Sequence, residues 1–438
     1  MKSLINFSLM LFLGMSLSAQ DFNKQKMDSL FSAIDENNKG MGSLSIYKNG
    51  NEVYTSSTGF ANVEAKKSAD AQTRYRVGSI TKTFTAAIIM QLIEEGKLQL
   101  ETKLSTFYPQ IPNAGKISIE DLLRHQSGLF NYSKGEDFEN WKNKEQSRQD
   151  HLDRFVKNGI EFQPGGRSDY SNTNYILLSF IIEDLEKEDL SEVFSRRIVK
   201  PLQLKNTYYG SKLDPSKGEA LAYQKTGEWT LIDETHMSVV KGAGALMSTP
   251  SDLNKFVTAL FAGKIVKPAT LEKMKEIKGE FGLGLMEMNL VGRNFYGHTG
   301  GIDGFNSVVV YNPTEKVSFA YSSNGRDLLP HKILDAAAHI YFGEAYEIPS
   351  FKTLELTSGQ LKQYEGIYSG EGFPLILKIY EENGKLMGQA EGQPSFPLEA
   401  FEPHKFKFDR FGLKLEFDPE AGKMLFKQGP NSHELKRA

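Results

Sequence analysis

Residues 79–96 read SITKTFTAAIIMQLIEEG. From Thr83 to Glu95 the run is apolar nearly all round (Phe84, Ala87, Ile88, Ile89, Met90, Leu92, Ile93), and Gly96 supplies its stop. A helix without a polar face belongs inside a domain and not on its surface. Ser79 and Lys82 stand at its mouth, three residues apart and so on one helical face, where their side chains can meet. A serine hydroxyl is a poor nucleophile until a base takes its proton. A lysine is that base only when burial or a neighbouring cation lowers its pKa, and the entrance to an apolar helix suits this. The spacing alone decides little, because Ser45–Lys48 and Ser238–Lys241 share it. The first pair lies on a hairpin strand, where residues three apart point to opposite faces, and the second has no helical run after it.

The rest of the chain is organised around this helix. Met27, Leu30, Phe31 and Ile34 make one face of an earlier amphipathic helix. Residues 43–48 and 51–56 form a hairpin about Asn49-Gly50, a pair that supplies the positive φ angles of a type I′ turn. Ser118-Ile119-Glu120-Asp121 caps a short helix through Leu122 and Leu123. Tyr175 to Leu185 is a second apolar helix, after the break Gln163-Pro164-Gly165-Gly166. Residues 305–311 and 317–322 are apolar strands, followed by a helix from Leu329 to Phe342. The sheet is therefore assembled from the two ends of this region, and its middle is helical. Pro349 marks a boundary. From about Thr357 short strands alternate with turn signals such as Glu382-Asn383-Gly384 and Glu420-Ala421-Gly422, the texture of a small all-β domain. The fold class is α/β of the α+β type: an antiparallel sheet flanked by helices with a helical subdomain, plus a small C-terminal all-β domain.

Composition narrows the function. The 438 residues have 52 Lys plus Arg against 55 Asp plus Glu, and no basic cluster, so there is no electrostatic case for nucleic acid. There is no cysteine, which removes disulfides, thiolate metal sites and cysteine nucleophiles. Lys2, the apolar stretch from Leu4 to Leu17 and the small residues of Ser16-Leu17-Ser18-Ala19-Gln20 form the pattern of a secretory signal peptide, residues 1–19. The stretch is shorter than the roughly 20 apolar residues of a spanning helix. The expectation is a soluble, exported protein, periplasmic or secreted, with no stable membrane anchor. Nothing in the sequence sets the oligomeric state.

Two further motifs carry chemistry. Tyr170-Ser171-Asn172 follows the Pro-Gly-Gly break and precedes the second apolar helix. A tyrosine beside a cationic lysine can have its pKa lowered enough to relay protons. An asparagine two residues on can hold a substrate amide with both donor and acceptor. His298-Thr299-Gly300-Gly301-Ile302-Asp303-Gly304-Phe305 precedes an apolar strand. Its glycines admit close approach to the backbone, where a free strand-edge N–H can stabilise an oxyanion. No His, Asp and Glu group has metal-ligand spacing, so no metal or cofactor is expected. His331 and His339 lie on the last helix without a third ligand. Trp141 and the charged stretch from Lys134 to Arg154 read either as a solvated segment over the site or as a surface helix.

The three motifs in this order resemble the serine β-lactamase and penicillin-binding protein superfamily, and most of all its class C-like branch of esterases, D-aminopeptidases and carboxypeptidases. The flanks 122–129 and 242–253 match as well, and the resemblance spans about residues 25–345. It implies a hydrolase domain over 20–348 and an appended β domain over 355–438. It implies that Ser79 is the acylated nucleophile, Lys82 its base and Tyr170 the proton relay, with Asn172 orienting the acyl side chain. The oxyanion hole would be the N–H groups of Ser79 and Gly301, with His298 and Thr299 on the substrate. His298 stands where much of the family has a lysine. A histidine is mostly neutral at pH 7, which weakens the case for a carboxylate-bearing substrate and leaves esters and amides open, D-amino-acid peptides or cell-wall fragments among them. The other reading is a penicillin-recognising sensor that acylates without efficient turnover. A literal Lys-Thr-Gly occurs at Lys225-Thr226-Gly227, in a polar turn with no core strand after it, and is set aside. His125, in the first flank, is read as bracing a loop.

Overall fold

The computed structural model describes residues 22–438 apart from Leu329, Lys352 and Pro430. The signal peptide inferred for residues 1–19 lies outside them. Helix α1 (Lys24–Glu36) buries Met27, Leu30, Phe31 and Ile34, as its periodicity requires. Strands β1 (Gly40–Lys48) and β2 (Asn51–Thr58) form the hairpin, with Asn49 at φ 52° and Gly50 at φ 82°. Helix α2 (Thr81–Glu94) is buried throughout from Thr81 to Met90. A single 3₁₀ turn, Gly78–Ile80, precedes it, so Ser79 stands just outside the α-helix. Then come α3 (Ile119–Leu123), with its Ser118–Asp121 capping box, α4 (Arg148–Asn158), α5 (Asn172–Glu186), α6 (Met237–Gly244) and α7 (Pro250–Phe261). The chain returns to the sheet as β3 (Met286–Leu290), β4 (Arg293–Ile302), β5 (Phe305–Asn312) and β6 (Val317–Arg326), and α8 (Pro330–Tyr341) follows.

The sheet order is β3-β4-β5-β6-β1-β2, antiparallel throughout. Its central strands are apolar on both sides because both faces are covered. Val308 and Val310 pack with Leu44, Ile46, Phe319 and the buried faces of α1 and α8. Val309 and Tyr311 point the other way, into the larger core built on α2, α5 and α7.

After α8, eight strands from Gly366–Ser369 to Asn431–Arg437 close into an antiparallel barrel, with Tyr368 opposite Arg437 at the seam. Side chains such as Leu377, Leu386, Phe406, Leu415 and Leu435 fill it. The barrel docks on the sheet through Lys39, which is buried 3.1 Å from Asp327 at the sheet end and 2.8 and 3.4 Å from Glu399 and Asp409 of the barrel. Burial alone would lower its pKa, but the three carboxylates raise it above the ordinary lysine value. Lys225 belongs to this junction: its Nζ donates to Asn38 O at 2.6 Å. The hairpin Tyr223–Leu231 that carries it is also tied there by Trp229 Nε1, donating to Asn38 Oδ1 at 2.6 Å.

Removing one partner of a buried ion pair is costly, whereas exposed pairs contribute little. Lys39→Ala should lower unfolding free energy by about 3 kcal/mol, and Lys97→Ala, at an exposed lysine beside the exposed Glu95 and a Glu186 that keeps Arg196 and Arg197, by less than about 1 kcal/mol. Urea unfolding checks this, and equal losses in the two variants would contradict the docking role of Lys39.

Candidate active site

Lys82 is buried at the mouth of α2. Its Nζ lies 2.9 Å from Ser79 Oγ, 2.8 Å from Asn172 Oδ1 and 2.8 Å from the carbonyl oxygen of Ala243. Burial pushes the amine well below its ordinary pKa, toward the neutral form. A neutral amine has two N–H bonds and one lone pair. Asn172 and Ala243 accept the two N–H groups, which leaves the lone pair facing the Ser79 hydroxyl. The hydroxyl then donates to nitrogen, as a general base requires.

Tyr170 faces the same pair. Its hydroxyl is turned toward Ser79, and its ring centroid lies 4.8 Å from Lys82 Nζ. The sequence led us to expect a lowered tyrosine pKa. The structure gives the opposite: burial raises it, and the Ser79 bond only partly offsets this. The expectation assumed a cationic lysine. Burial disfavours the charge on Lys82 and the tyrosinate alike, and Tyr170 stays a proton donor. Asn172 opens α5, its own N–H held by Asn131 Oδ1 at 3.1 Å and its Nδ2 donating to Ser133 Oγ at 3.0 Å. Its amide is therefore used in both senses. His125 sits at φ 57° with its ring 4.4 Å from that of Tyr170, and its Nδ1 accepts the Ser171 N–H at 3.1 Å. It braces the loop carrying Tyr170, as the sequence suggested.

The third motif comes from β4. Its partner β3 stops opposite Gly297, so residues 298–302 run on without it and lie against the Gly78–Ile80 turn. A Cβ at Gly300 would sit 1.9 Å from Val77 O, and one at Gly78 (φ +51°) 2.8 Å from Gly301 N. Only glycine admits this approach. It brings the Gly301 amide beside the Ser79 turn at the wall of a cleft of about 260 Å³, lined among others by Asn172, Thr235 and Asp303. His298 is buried beneath, its Nδ1 donating to Thr299 O at 2.5 Å. Burial holds its pKa down to about 4, so it is neutral at pH 7.

The decoys are resolved by their neighbours. Ser45 Oγ donates to Glu52 Oε1 at 2.7 Å, on the hairpin. No helical run was expected after Ser238–Lys241, and none follows: α6 contains both residues, but Lys241 breaks it at φ 28°, ψ −126°, and it ends at Gly244. Lys241 pairs with Glu183 at 2.9 Å, and Ser238 accepts the Gln146 N–H at 2.8 Å. The kink has a use that the sequence did not announce. It lays Gly242 against Ser179 and Thr85 and turns the Ala243 carbonyl onto Lys82. A backbone acceptor leaves no residue-type signal. Asn131 and Ser133 were missed as well, although both adjoin the first flank. The Trp141 segment is a packed wall: Trp141 is buried against Tyr132 and Phe138, with the Arg154 guanidinium 3.5 Å over its ring. Phe138, Glu139 and Lys142 line the cleft.

The family model described as Beta-lactamase matches residues 27–341. Among curated proteins, a penicillin-binding protein of Bacillus subtilis (strain 168) is 27% identical over 431 residues, 91% of this chain and 94% of that protein. The teichoic acid D-alanine hydrolase of Staphylococcus aureus is 28% identical over 298 residues, 65% of this chain and 71% of that protein. Among solved structures, a D-stereospecific amidohydrolase from Streptomyces sp. superposes with a TM-score of 0.63 at 25% identity, covering 74% of this chain and 100% of that one.

Three buried histidines, His125, His151 and His298, all have pKa values held down chiefly by burial. In the unfolded chain each takes a proton near pH 6.5. Below that pH the unfolded state binds more protons, so stability is full above about 6.5 and falls as the pH drops toward 4. His298 alone should account for roughly 3 kcal/mol by pH 4. Urea unfolding at pH 7, 5.5 and 4.5 measures this, with His298→Asn showing a shallower decline. A wild-type stability unchanged between pH 7 and 4.5 would contradict it.

Proposed function

The chain belongs to the β-lactamase family, and on that premise we propose that it is a serine hydrolase that opens esters and amides through an acyl-enzyme on Ser79. The observation that carries the reading is the position of Lys82 Nζ, 2.9 Å from Ser79 Oγ, on an amine whose pKa burial lowers. In this scheme Ser79 Oγ attacks the substrate carbonyl as its proton passes to Lys82. The N–H groups of Ser79 and Gly301 take the developing oxyanion. Tyr170, kept protonated by burial, gives its proton to the leaving oxygen or nitrogen and is reprotonated from Lys82. A water then attacks the acyl carbonyl, its proton following the same groups in reverse, and Ser79 leaves with the acid released.

The charge of the cleft favours a substrate without a carboxylate at its leaving side. Lys82 and His298 are both held toward neutrality, and the cation Lys142 is paired with Glu139 at 2.5 Å. Amides or esters of D-amino acids fit such a site, and the printed activities of the D-alanine hydrolase and the D-stereospecific amidohydrolase support that class. A signal peptide over residues 1–19 would bring the enzyme to substrates of the cell envelope, periplasmic or secreted.

The test is turnover of p-nitrophenyl esters and D-amino-acid p-nitroanilides, with mass spectrometry of the trapped adduct. Ser79→Ala should lose about 10³-fold or more in kcat/KM, with Ser45→Ala and Ser238→Ala close to wild type. The adduct should lie on the peptide containing Ser79. Activity surviving in Ser79→Ala would overturn the reading, and one equivalent of acylation without turnover would make the protein a sensor.

A further inference from the structure

Arg76 lies three residues before Ser79, and Asp303 lies two residues after Gly301. Their side chains meet: Arg76 Nη1 is 2.7 Å from Asp303 Oδ2, with side-chain exposures of 1% and 3%. We propose that this buried ion pair clamps the two halves of the oxyanion hole together, so that Arg76 and Asp303 are positioning residues for the reaction. The proposal rests on the Ser79 reading above and deepens it.

The two donors belong to segments more than two hundred residues apart in sequence, so their mutual alignment depends on contacts between the segments. The Ser79 amide sits on a one-turn 3₁₀ helix. The Gly301 amide sits near the tip of the β4–β5 hairpin, beyond the point where β3 stops supporting the strand. The close approach of Gly300 to Val77 O sets how near the segments come. The Arg76–Asp303 pair adds a second tie between the same two segments, one residue before Val77 and three after Gly300. It is held from several directions. Thr235 gives its hydroxyl to Asp303 Oδ1 at 2.6 Å and its N–H to Oδ2 at 2.9 Å. Arg76 donates to Thr235 O at 3.1 Å, Ser211 O at 3.0 Å and Glu234 Oε2 at 2.6 Å. An oxyanion hole works only if its donors end 2.7–3.1 Å from the charge that develops, so a slide of well under an ångström matters.

Turn chemistry does not explain the carboxylate. Ile302 pairs with Phe305 across a two-residue turn, with Asp303 at φ 48° and Gly304 at φ 84°. That is a type I′ turn, which Asn-Gly forms as well as Asp-Gly. The turn needs an Asx residue; the carboxylate serves Arg76 and the two Thr235 donors. Asp303→Asn therefore keeps the hairpin and removes the charge.

The experiment measures kcat and KM on a p-nitrophenyl ester, and Ki for phenylboronic acid, in wild type, Asp303→Asn, Asp303→Ala and Arg197→Ala. The boronic acid forms a bond from Ser79 Oγ to boron, the serine proton passes to Lys82, and a boron-bound oxygen enters the oxyanion hole. Rates are expressed per Ser79 labelled by a fluorophosphonate. Asp303→Asn should lower kcat about 10- to 100-fold, short of the loss of a whole donor, with KM within about threefold, and raise Ki by the same factor as kcat falls. Asp303→Ala should lose more. Arg197→Ala breaks a guanidinium–carboxylate cluster with Glu95 and Glu186 away from the cleft, and should lower Tm with kcat and Ki unchanged. Wild-type kcat and Ki in Asp303→Asn, or a fall in kcat with Ki unmoved, would overturn the clamp. If Asp303→Ala does not fold, Asp303→Asn decides alone. A wild-type enzyme that ignores the boronate overturns the Ser79 reading and the clamp with it.

Discussion

The structure turns on one buried amine. Lys82 is carried to the bottom of the cleft by a helix with no polar face, and a charged ammonium there would be strongly disfavoured. Its neutral form is tolerable because both N–H groups have fixed acceptors, one a side chain and one a main-chain carbonyl. Those acceptors come from the start of α5 and the kinked end of α6. Both elements pack on α2 in the large core. The core thus does more than stabilise the domain. It lowers the pKa of Lys82 and supplies the acceptors that its N–H groups meet.

A second constraint is the contact between β4 and the turn before α2. The sheet is built from strands at the two ends of the hydrolase domain, and this contact is where the C-terminal half completes what the N-terminal half began. Gly78 and Gly300 permit it by having no side chain. Without that approach the Ser79 and Gly301 amides would not share a wall of one cleft, whatever Lys82 did for the serine.

Much of this was legible in the sequence, and the parts that were not share a cause. The apolar run after Lys82, the Asn49-Gly50 turn, the Ser118 cap and the strands on either side of Asn312-Pro313-Thr314 are local patterns, and local rules read them. Ser79, Lys82, Tyr170, Asn172, His298 and Gly301 were found as side-chain or glycine motifs, and the fold brings them together. The misses were of two kinds. The Ala243 carbonyl and the Lys241 kink act through the backbone, where residue type is silent. The Tyr170 pKa and the Arg76–Asp303 pair depend on burial and on partners distant in sequence. Reasoning about Tyr170 from a cationic neighbour failed because burial disfavours the charge on Lys82 and on a tyrosinate alike. The Lys225-Thr226-Gly227 match shows the converse: the right letters sit at the barrel junction, held by Asn38, far from the chemistry.

The central claim is that Lys82 is a neutral amine in the resting protein. Two-dimensional NMR of the lysine Cε and Nζ groups, in protein labelled with ¹³C,¹⁵N-lysine, observes this directly, and Lys82→Arg assigns the signal. The account predicts one lysine with neutral-amine shifts at pH 7, titrating well below the others and absent from the Lys82→Arg spectrum. A spectrum in which every lysine remains an ammonium up to about pH 10, near the ordinary lysine value, would contradict it.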